Sequence, residues 1–146
     1  MKNPSKKSTI SHLILKSKLK VAVLGGGSWG TALIKILSEN KRKVGWYIRN
    51  PVNVDFVKKH RHNPNYVSAA SLKTKRLKIS SDINHVVSGA DVLILTIPSA
   101  FLYSELEKLN QSLNNKIIFS AVKGVVPESM LIVGEHLNKK LNVPLN

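Results

Sequence analysis

Three glycines early in the chain could bind a phosphate-bearing ligand through the backbone, because their spacing is typical of turns that expose peptide N–H groups. They lie in VAVLGGGSWGTALIKIL, residues 21–37, where an apolar run precedes them and a helical pattern follows. Gly25, Gly27 and Gly30 match G-x-G-x-x-G, the pattern of dinucleotide-binding turns. The same stretch also fits two other motifs, and the flanking residues decide between them.

A P-loop would use these glycines to bind a nucleoside triphosphate. Gly25 and Gly30 have its spacing, but a P-loop continues with a lysine and then a serine or threonine, which contact the outer phosphates and magnesium. In this chain Thr31 and Ala32 follow Gly30 instead. Because the lysine is missing, the sequence argues against a P-loop.

A hydrolase serine turn, G-x-S-x-G, fits Gly26, Ser28 and Gly30. That turn requires an acid and then a histidine later in the chain, and flanking strands that build an oxyanion hole. The candidate histidines, His85 and His136, fall on predicted helices, and the turn follows the first strand of the chain. The context therefore disfavours a nucleophilic serine.

The dinucleotide motif agrees with its surroundings, because the glycines follow a predicted strand and open a predicted helix. Here Gly25 would permit the tight turn, Gly27 would let the backbone approach a pyrophosphate, and Gly30 would let the helix pack close to the strand. The start of the helix offers free N–H groups and the positive end of its dipole to phosphate. The alternative is a glycine-rich turn that binds nothing.

The elements that must position this turn alternate between strands and helices. Apolar, β-branched runs predict strands over residues 20–25, 43–49, 91–98 and 116–122, with a short strand LKIS ending the irregular segment 62–77. Helical periodicity predicts helices over 28–40, from Pro51 onwards, and over 81–90, 99–113 and 127–141. This alternation predicts an α/β fold, a Rossmann-like doubly wound parallel sheet with helices on both faces.

The first helix is expected to begin at a Ser28 cap. Its apolar positions with helical spacing are Leu33, Ile36 and Leu37, so we expect them to face the core.

The later elements carry comparable signals. Ser81 is expected to cap the helix over 81–90, which should end at Gly89. The nearly continuous apolar runs over 91–98 and 116–122 are typical of strands buried in a parallel sheet.

Composition limits the class of protein. The chain has 146 residues, enough for about one domain, and no cysteine, which excludes a disulfide framework. No apolar run approaches the roughly 20 residues of a membrane helix, so we expect no membrane insertion and a cytoplasmic location. The formal charge of +15 is spread along the chain without interleaved aromatics, and we expect no nucleic-acid binding. Residues 1–19 are predicted to form a disordered basic tail before a domain over 20–146.

Two further segments lie at the same predicted edge of the sheet as the glycine turn. The second strand ends in Arg49 and Asn50, where an acid would bind the ribose of NAD. A cation there could accept the 2′-phosphate of NADP or stack on adenine, which favours NADP slightly, although a solvent-facing arginine is almost equally compatible. Lys123 follows the last clear strand and could hold a phosphate or polarise a carbonyl. His60 and His62 lack further ligands at metal-site spacing, so no metal site is predicted.

Four segments in this order, VAVLGGGSWGTAL, YIRNP, GADVLILTIPS and SAVKGVVPES, make the chain similar to a known family. It resembles the N-terminal domain of bacterial NAD(P)-dependent glycerol-3-phosphate dehydrogenase, over about residues 20–141. The resemblance implies NADP or NAD as cofactor. It also implies reduction of dihydroxyacetone phosphate to sn-glycerol 3-phosphate for glycerophospholipid synthesis.

The resemblance also implies site residues. The cofactor contacts of the family fall on Ser28, Trp29, Arg49, Asn50 and Tyr66 of this chain. Lys123 matches a lysine that contacts both cofactor and substrate. Tyr66 is followed by Val67-Ser68 where the family usually has Leu-Pro, which weakens its assignment.

One departure from the family concerns catalysis. In the family a further strand and a helical substrate domain follow, and these carry the general-base lysine. This sequence stops at LNVPLN, so the helical domain is expected to be absent and no catalytic residue is assigned in this chain. We therefore expect a fragment that binds cofactor without turnover, from an enzyme whose assembly as a homo-oligomer the resemblance leaves open. The alternatives are a stand-alone nucleotide-binding module and a non-functional relic.

Overall fold

A computed structural model describes residues 19–39 and 43–145. The predicted basic tail, apart from its last residue, lies outside these ranges, so it stays a prediction. Within them no helix has the length and apolar character needed to cross a membrane.

Five parallel strands form the central sheet, in the order β3-β2-β1-β4-β5. Their bounds are β1 Val21–Leu24, β2 Val44–Tyr47, β3 Leu77–Ser80, β4 Val92–Leu95 and β5 Ile117–Ser120. The chain crosses from one side of β1 to the other between β3 and β4, which leaves a crevice at the carboxyl ends of the strands. The predicted doubly wound parallel sheet is confirmed.

Helices cover both faces of this sheet, as predicted. They are α1 Ser28–Glu39, α2 Pro51–His60, α3 Ile83–Ser88, α4 Ser99–Leu106 and α5 Val133–Leu141. On one face, Ile34 of α1 and Val57 of α2 pack in a cluster with Trp46 of the sheet. On the other, Val87 of α3 and Leu102 of α4 join a second cluster. Because β1 and β4 are central, their side chains supply both clusters.

Local sequence placed α1 correctly, and of its three predicted core positions Leu33 and Leu37 pack against the buried cluster, whereas Ile36 does not. Ile34 is fully buried, whereas Ile36 is 63% exposed. The first helical hydrogen bond runs from the Thr31 N–H to the Gly27 carbonyl, so Gly27 occupies the cap position and the predicted Ser28 cap is wrong.

The helix α3 is capped by Asp82 rather than by Ser81. The Asp82 carboxylate accepts hydrogen bonds from the N–H groups of Asn84 and His85 at 2.9 and 3.3 Å. The predicted end at Gly89 is confirmed.

The prediction of a strand within 116–122 is confirmed, but the predicted burial of that strand is wrong. Of the strands in the described ranges, only β4 pairs with β5, which therefore forms an edge of the sheet, and its Ile117 and Phe119 are nearly half exposed. An apolar run of this length is compatible with either position, so composition alone could not place it at the edge.

The predicted helix over 127–141 begins six residues late. Its first part forms an antiparallel hairpin of β6 Val125–Val126 and β7 Leu131–Ile132. The turn places Met130 at φ 55°, and the N–H groups of Ser129 and Met130 both donate to the Val126 carbonyl. The proline and acid that suggested a helix start therefore lie in a turn.

Candidate nucleotide-binding site

A cavity of about 270 Å³ opens at the carboxyl ends of β1, β2 and β4. The predicted site residues that line it are Gly25, Gly27, Arg49, Asn50 and Tyr66. Residues from three separated segments of sequence thus meet at the topological switch point, where open α/β sheets bind ligands.

Buried donors fix the first carbonyl of the glycine turn. The indole N–H of Trp46 donates to the Gly25 carbonyl at 2.9 Å, and the Thr96 hydroxyl donates to the Leu24 carbonyl at 3.0 Å. The Gly25 N–H in turn donates to the Tyr47 carbonyl at 3.1 Å. These contacts tie the turn to β2 and β4 and give the core residue Trp46 a second role.

Two further side chains hold the next carbonyls. The buried amide of Asn63 donates to the Gly26 carbonyl at 2.9 Å and to the Thr31 hydroxyl at 2.8 Å. The Thr31 hydroxyl donates to the Gly27 carbonyl at 2.8 Å. With its carbonyls directed into the protein, the turn presents the opposite side of its peptides to the cavity.

The N–H groups on that side have no partner in the described part of the chain. None of its hydrogen bonds uses the N–H of Gly26, Gly27, Ser28 or Trp29 as donor. A helix start leaves such donors for a side chain, water or ligand. Unpartnered donors at the positive end of a helix dipole are what an anion-binding site requires.

The three motif glycines differ in what a side chain would contact. At Gly25, where φ is +134°, a Cβ would lie 2.4 Å from the Thr96 hydroxyl oxygen, and at Gly30 one would lie 2.2 Å from the Gly25 carbonyl oxygen. At Gly27 a Cβ would have no neighbour within 4 Å among the residues that the structure describes. Packing within the chain therefore requires glycine at the first and third positions, whereas the second faces open space.

Arg49 follows β2 and extends over the cavity. Its guanidinium carbon lies 5.1 Å from the ring centroid of Phe101, and its Nη1 lies 4.0 Å from Oε1 of Glu105. The side chain is 61% exposed, so these contacts orient the cation without covering it. Its neighbour Asn50 caps α2, because its side-chain oxygen accepts the N–H of Val52 at 2.9 Å.

Glu105 is a buried acid in the wall of the cavity. The hydroxyl of Tyr47 donates to its Oε2, and Lys108 Nζ lies 2.8 Å from its Oε1. Burial, and then the hydrogen bond to this carboxylate, raise the pKa of Tyr47 well above its usual range. Tyr47 therefore stays protonated and keeps donating.

The remaining predicted residues take different positions. Ser28 and Trp29 are exposed in the first turn of α1, next to the free N–H groups. The N–H of Tyr66 donates to the Asn63 side-chain oxygen at 3.3 Å, while its ring is 46% exposed. Lys123 is exposed beyond β5, at the same edge of the sheet but outside the lining of the cavity.

Sequence analysis missed three residues that shape this site. Asn63 precedes a proline and looked like part of a loop, although Asn-Pro is a turn signal. Phe101 and Glu105 are four residues apart on α4, so they share a face. Glu105 is three residues after the buried Leu102, and this helical spacing was the available signal that the acid lies on the buried side of α4.

The predicted absence of a metal site at His60 and His62 stays a prediction. Their rings pack against Phe56, with centroid distances of 4.3 and 5.2 Å.

Comparison with known proteins adds to this geometry. Residues 20–145 match the family model described as NAD-dependent glycerol-3-phosphate dehydrogenase N-terminus. A relative named glycerol-3-phosphate dehydrogenase (NAD(P)+) from Nitratidesulfovibrio vulgaris strain DP4 is 34% identical over 124 residues, which cover 84% of this chain and 37% of the relative. One of the same name from Macrococcus caseolyticus is 31% identical, over 85% of this chain and 37% of the relative. The chain thus spans little more than a third of these relatives.

Solved structures support the fold. A glycerol-3-phosphate dehydrogenase from Plasmodium falciparum superposes with a TM-score of 0.75 at 23% identity, covering 92% of this chain and 41% of that one. Another from Coxiella burnetii gives 0.73 at 23% identity, covering 85% and 38%.

The pair of Tyr47 and Glu105 predicts a loss of stability at alkaline pH. An unfolded tyrosine loses its proton near pH 10, while folded Tyr47 keeps it, so its contribution is complete below about pH 10 and declines above it. We expect Tyr47→Phe to lower the free energy of unfolding by about 1–3 kcal/mol at pH 7, because Glu105 loses a donor. Urea unfolding from pH 8 to 11 should then show a shallower decline than in the wild type.

Tyr66→Phe is the matched control, because that ring is largely exposed and it should leave the pH dependence unchanged. Equal declines in the wild type and Tyr47→Phe would contradict the prediction.

Proposed function

The chain belongs to the family of NAD-dependent glycerol-3-phosphate dehydrogenase N-terminal domains, and from this membership and its geometry we propose that it binds NADP or NAD at the glycine turn. The observation that supports this most is the set of unpartnered N–H groups of residues 26–29 beside the open face of Gly27. A pyrophosphate needs such donors and a backbone it can approach closely. The described residues fit this group.

In this proposal the dinucleotide lies across the crevice between β1, β2 and β4. The turn and the exposed Ser28 and Trp29 hold the pyrophosphate at the start of α1. Arg49 and Asn50 border the adenosine end of the cavity, and Tyr66 flanks it from the loop. An exposed guanidinium at the end of β2 favours NADPH, because it can bind the 2′-phosphate with charge-assisted hydrogen bonds.

We further propose that residues 20–146 are the cofactor domain of a glycerol-3-phosphate dehydrogenase serving glycerophospholipid synthesis. When bound, the reduced nicotinamide supplies the hydride for reduction of dihydroxyacetone phosphate. Lys123, at the same sheet edge, would contact the cofactor and the phosphate or carbonyl of the substrate.

The hydride and the proton that this reaction needs have different sources. No residue of this chain is assigned to donate the proton, and we propose that the chain alone binds cofactor without turnover. The purified chain should give no NADPH oxidation above background with dihydroxyacetone phosphate at saturating concentration. Sustained oxidation that depends on this substrate would refute that part of the proposal.

Gly27→Asp tests the pyrophosphate site. The new carboxylate would enter open space, and aspartate is a better helix cap than most residues, so the thermal midpoint should not fall. It would repel a pyrophosphate, and we expect the Kd of both NADPH and NADH to rise more than about tenfold. The measurement is a titration of each nucleotide, followed by quenching of tryptophan emission.

Gly27→Asn is the uncharged control of similar size and should weaken binding less than Gly27→Asp. Gly30→Ala should give the opposite pattern, a loss of folded stability, because its Cβ would collide with the Gly25 carbonyl. An unchanged affinity of Gly27→Asp for NADPH and NADH would refute the proposed site. A wild-type chain that binds neither nucleotide would also refute it.

Arg49→Gln tests the adenosine end. We expect the Kd of NADPH to rise about tenfold and that of NADH to change by less than about threefold, since only NADPH carries the 2′-phosphate. Lys59→Gln, an exposed cation at the end of α2, is the control for general charge. Equal losses for the two nucleotides would show that Arg49 does not bind the 2′-phosphate.

A further inference from the structure

The cavity holds an acid that the motif analysis did not anticipate. In NAD-binding domains of this kind the acid that opposes a 2′-phosphate stands at the end of the second strand. Here that position carries Arg49, and a carboxylate reaches the same cavity from α4 instead, at Glu105.

The contacts of Glu105 hold its carboxylate in one position. Its side chain is only 4% exposed, its Oε2 accepts the Tyr47 hydroxyl, and its Oε1 lies 2.8 Å from Lys108 Nζ and 4.0 Å from Arg49 Nη1. Tyr47 ends β2 and therefore locks the carboxylate to the strand from which Arg49 emerges. Lys108 and Arg49 are both more than half exposed, so water screens them more than it screens the acid.

We propose that Glu105 is a specificity-determining residue that lowers the preference of the site for NADPH over NADH. This inference rests on the proposed function, because it presupposes that a pyridine dinucleotide occupies the cavity. A buried negative charge 4.0 Å from the guanidinium weakens the attraction of that guanidinium for a 2′-phosphate. NADH has an uncharged ribose hydroxyl in place of the 2′-phosphate, so the charge of Glu105 does not weaken NADH binding.

A role of Glu105 through its charge and a role in positioning Arg49 predict opposite changes in NADPH binding when Glu105 is replaced. If Glu105 acted mainly by holding Arg49 in place, its loss would weaken NADPH binding. If it acts by its charge, its loss strengthens NADPH binding. The glutamine variant keeps an oxygen that can accept the Tyr47 hydroxyl, so it removes the charge while preserving shape.

The test compares Kd values of NADPH and NADH for Glu105→Gln and the wild type. We expect the NADPH Kd to fall about fivefold and the NADH Kd to stay within about twofold, with the difference shrinking at high salt. The control is Glu107→Gln, which removes an exposed charge from the end of the same helix and should leave both values unchanged. An unchanged or lower preference for NADPH in Glu105→Gln would overturn the inference.

A second variant covers the case in which Glu105→Gln does not fold. Lys108→Gln removes the exposed partner of the same carboxylate, leaving Glu105 less neutralised, and should lower the NADPH preference by about threefold. No change there would count against the inference. A wild-type chain that binds neither nucleotide would instead refute the proposed function.

Discussion

The site depends on how the carbonyls of the glycine turn are held. Trp46, Asn63 and Thr31 bind the carbonyls of Gly25, Gly26 and Gly27 in turn, from a strand, a loop and a helix. A peptide whose carbonyl is fixed on one side has its N–H fixed on the other. The interior hydrogen bonds therefore orient the outward donors, and an anion need not order the turn when it binds.

The turn needs glycine for two different reasons, and packing within the chain explains only one of them. Gly25 and Gly30 lie against Thr96 and against each other, where a Cβ would meet atoms of the chain. A Cβ at Gly27 would meet no atom of the described residues, so their packing does not account for a glycine there. A glycine that the fold does not require, between two that it does, is the signature expected where a ligand must approach the backbone.

Local patterns predicted the sheet and the turn, and long-range contacts determined the rest. The apolar run over 91–98 predicted β4 correctly, because β4 is an interior strand and both faces of the sheet are covered there. The similar run at β5 predicted burial wrongly, because the position of a strand at the edge of a sheet depends on which other strands pair with it. The cavity joins Arg49 to Glu105, fifty-six residues later, and no local pattern reports that distance. Asn63 was missed for the same reason, since its partners lie more than 30 residues away.

The distribution of charge bears on how an anion would be held. The chain carries a formal charge of +15, yet among the described residues the only charged side chains in the cavity lining are Arg49 and Glu105, which have opposite charges. The excess charge therefore lies outside this lining, and the attraction we propose for the pyrophosphate comes from backbone donors and the dipole of α1, separately from that of Arg49 for a 2′-phosphate. Fixed dipoles act only on a group placed within the first turn of the helix. A site built this way selects a ligand by where its phosphates lie rather than by its total charge.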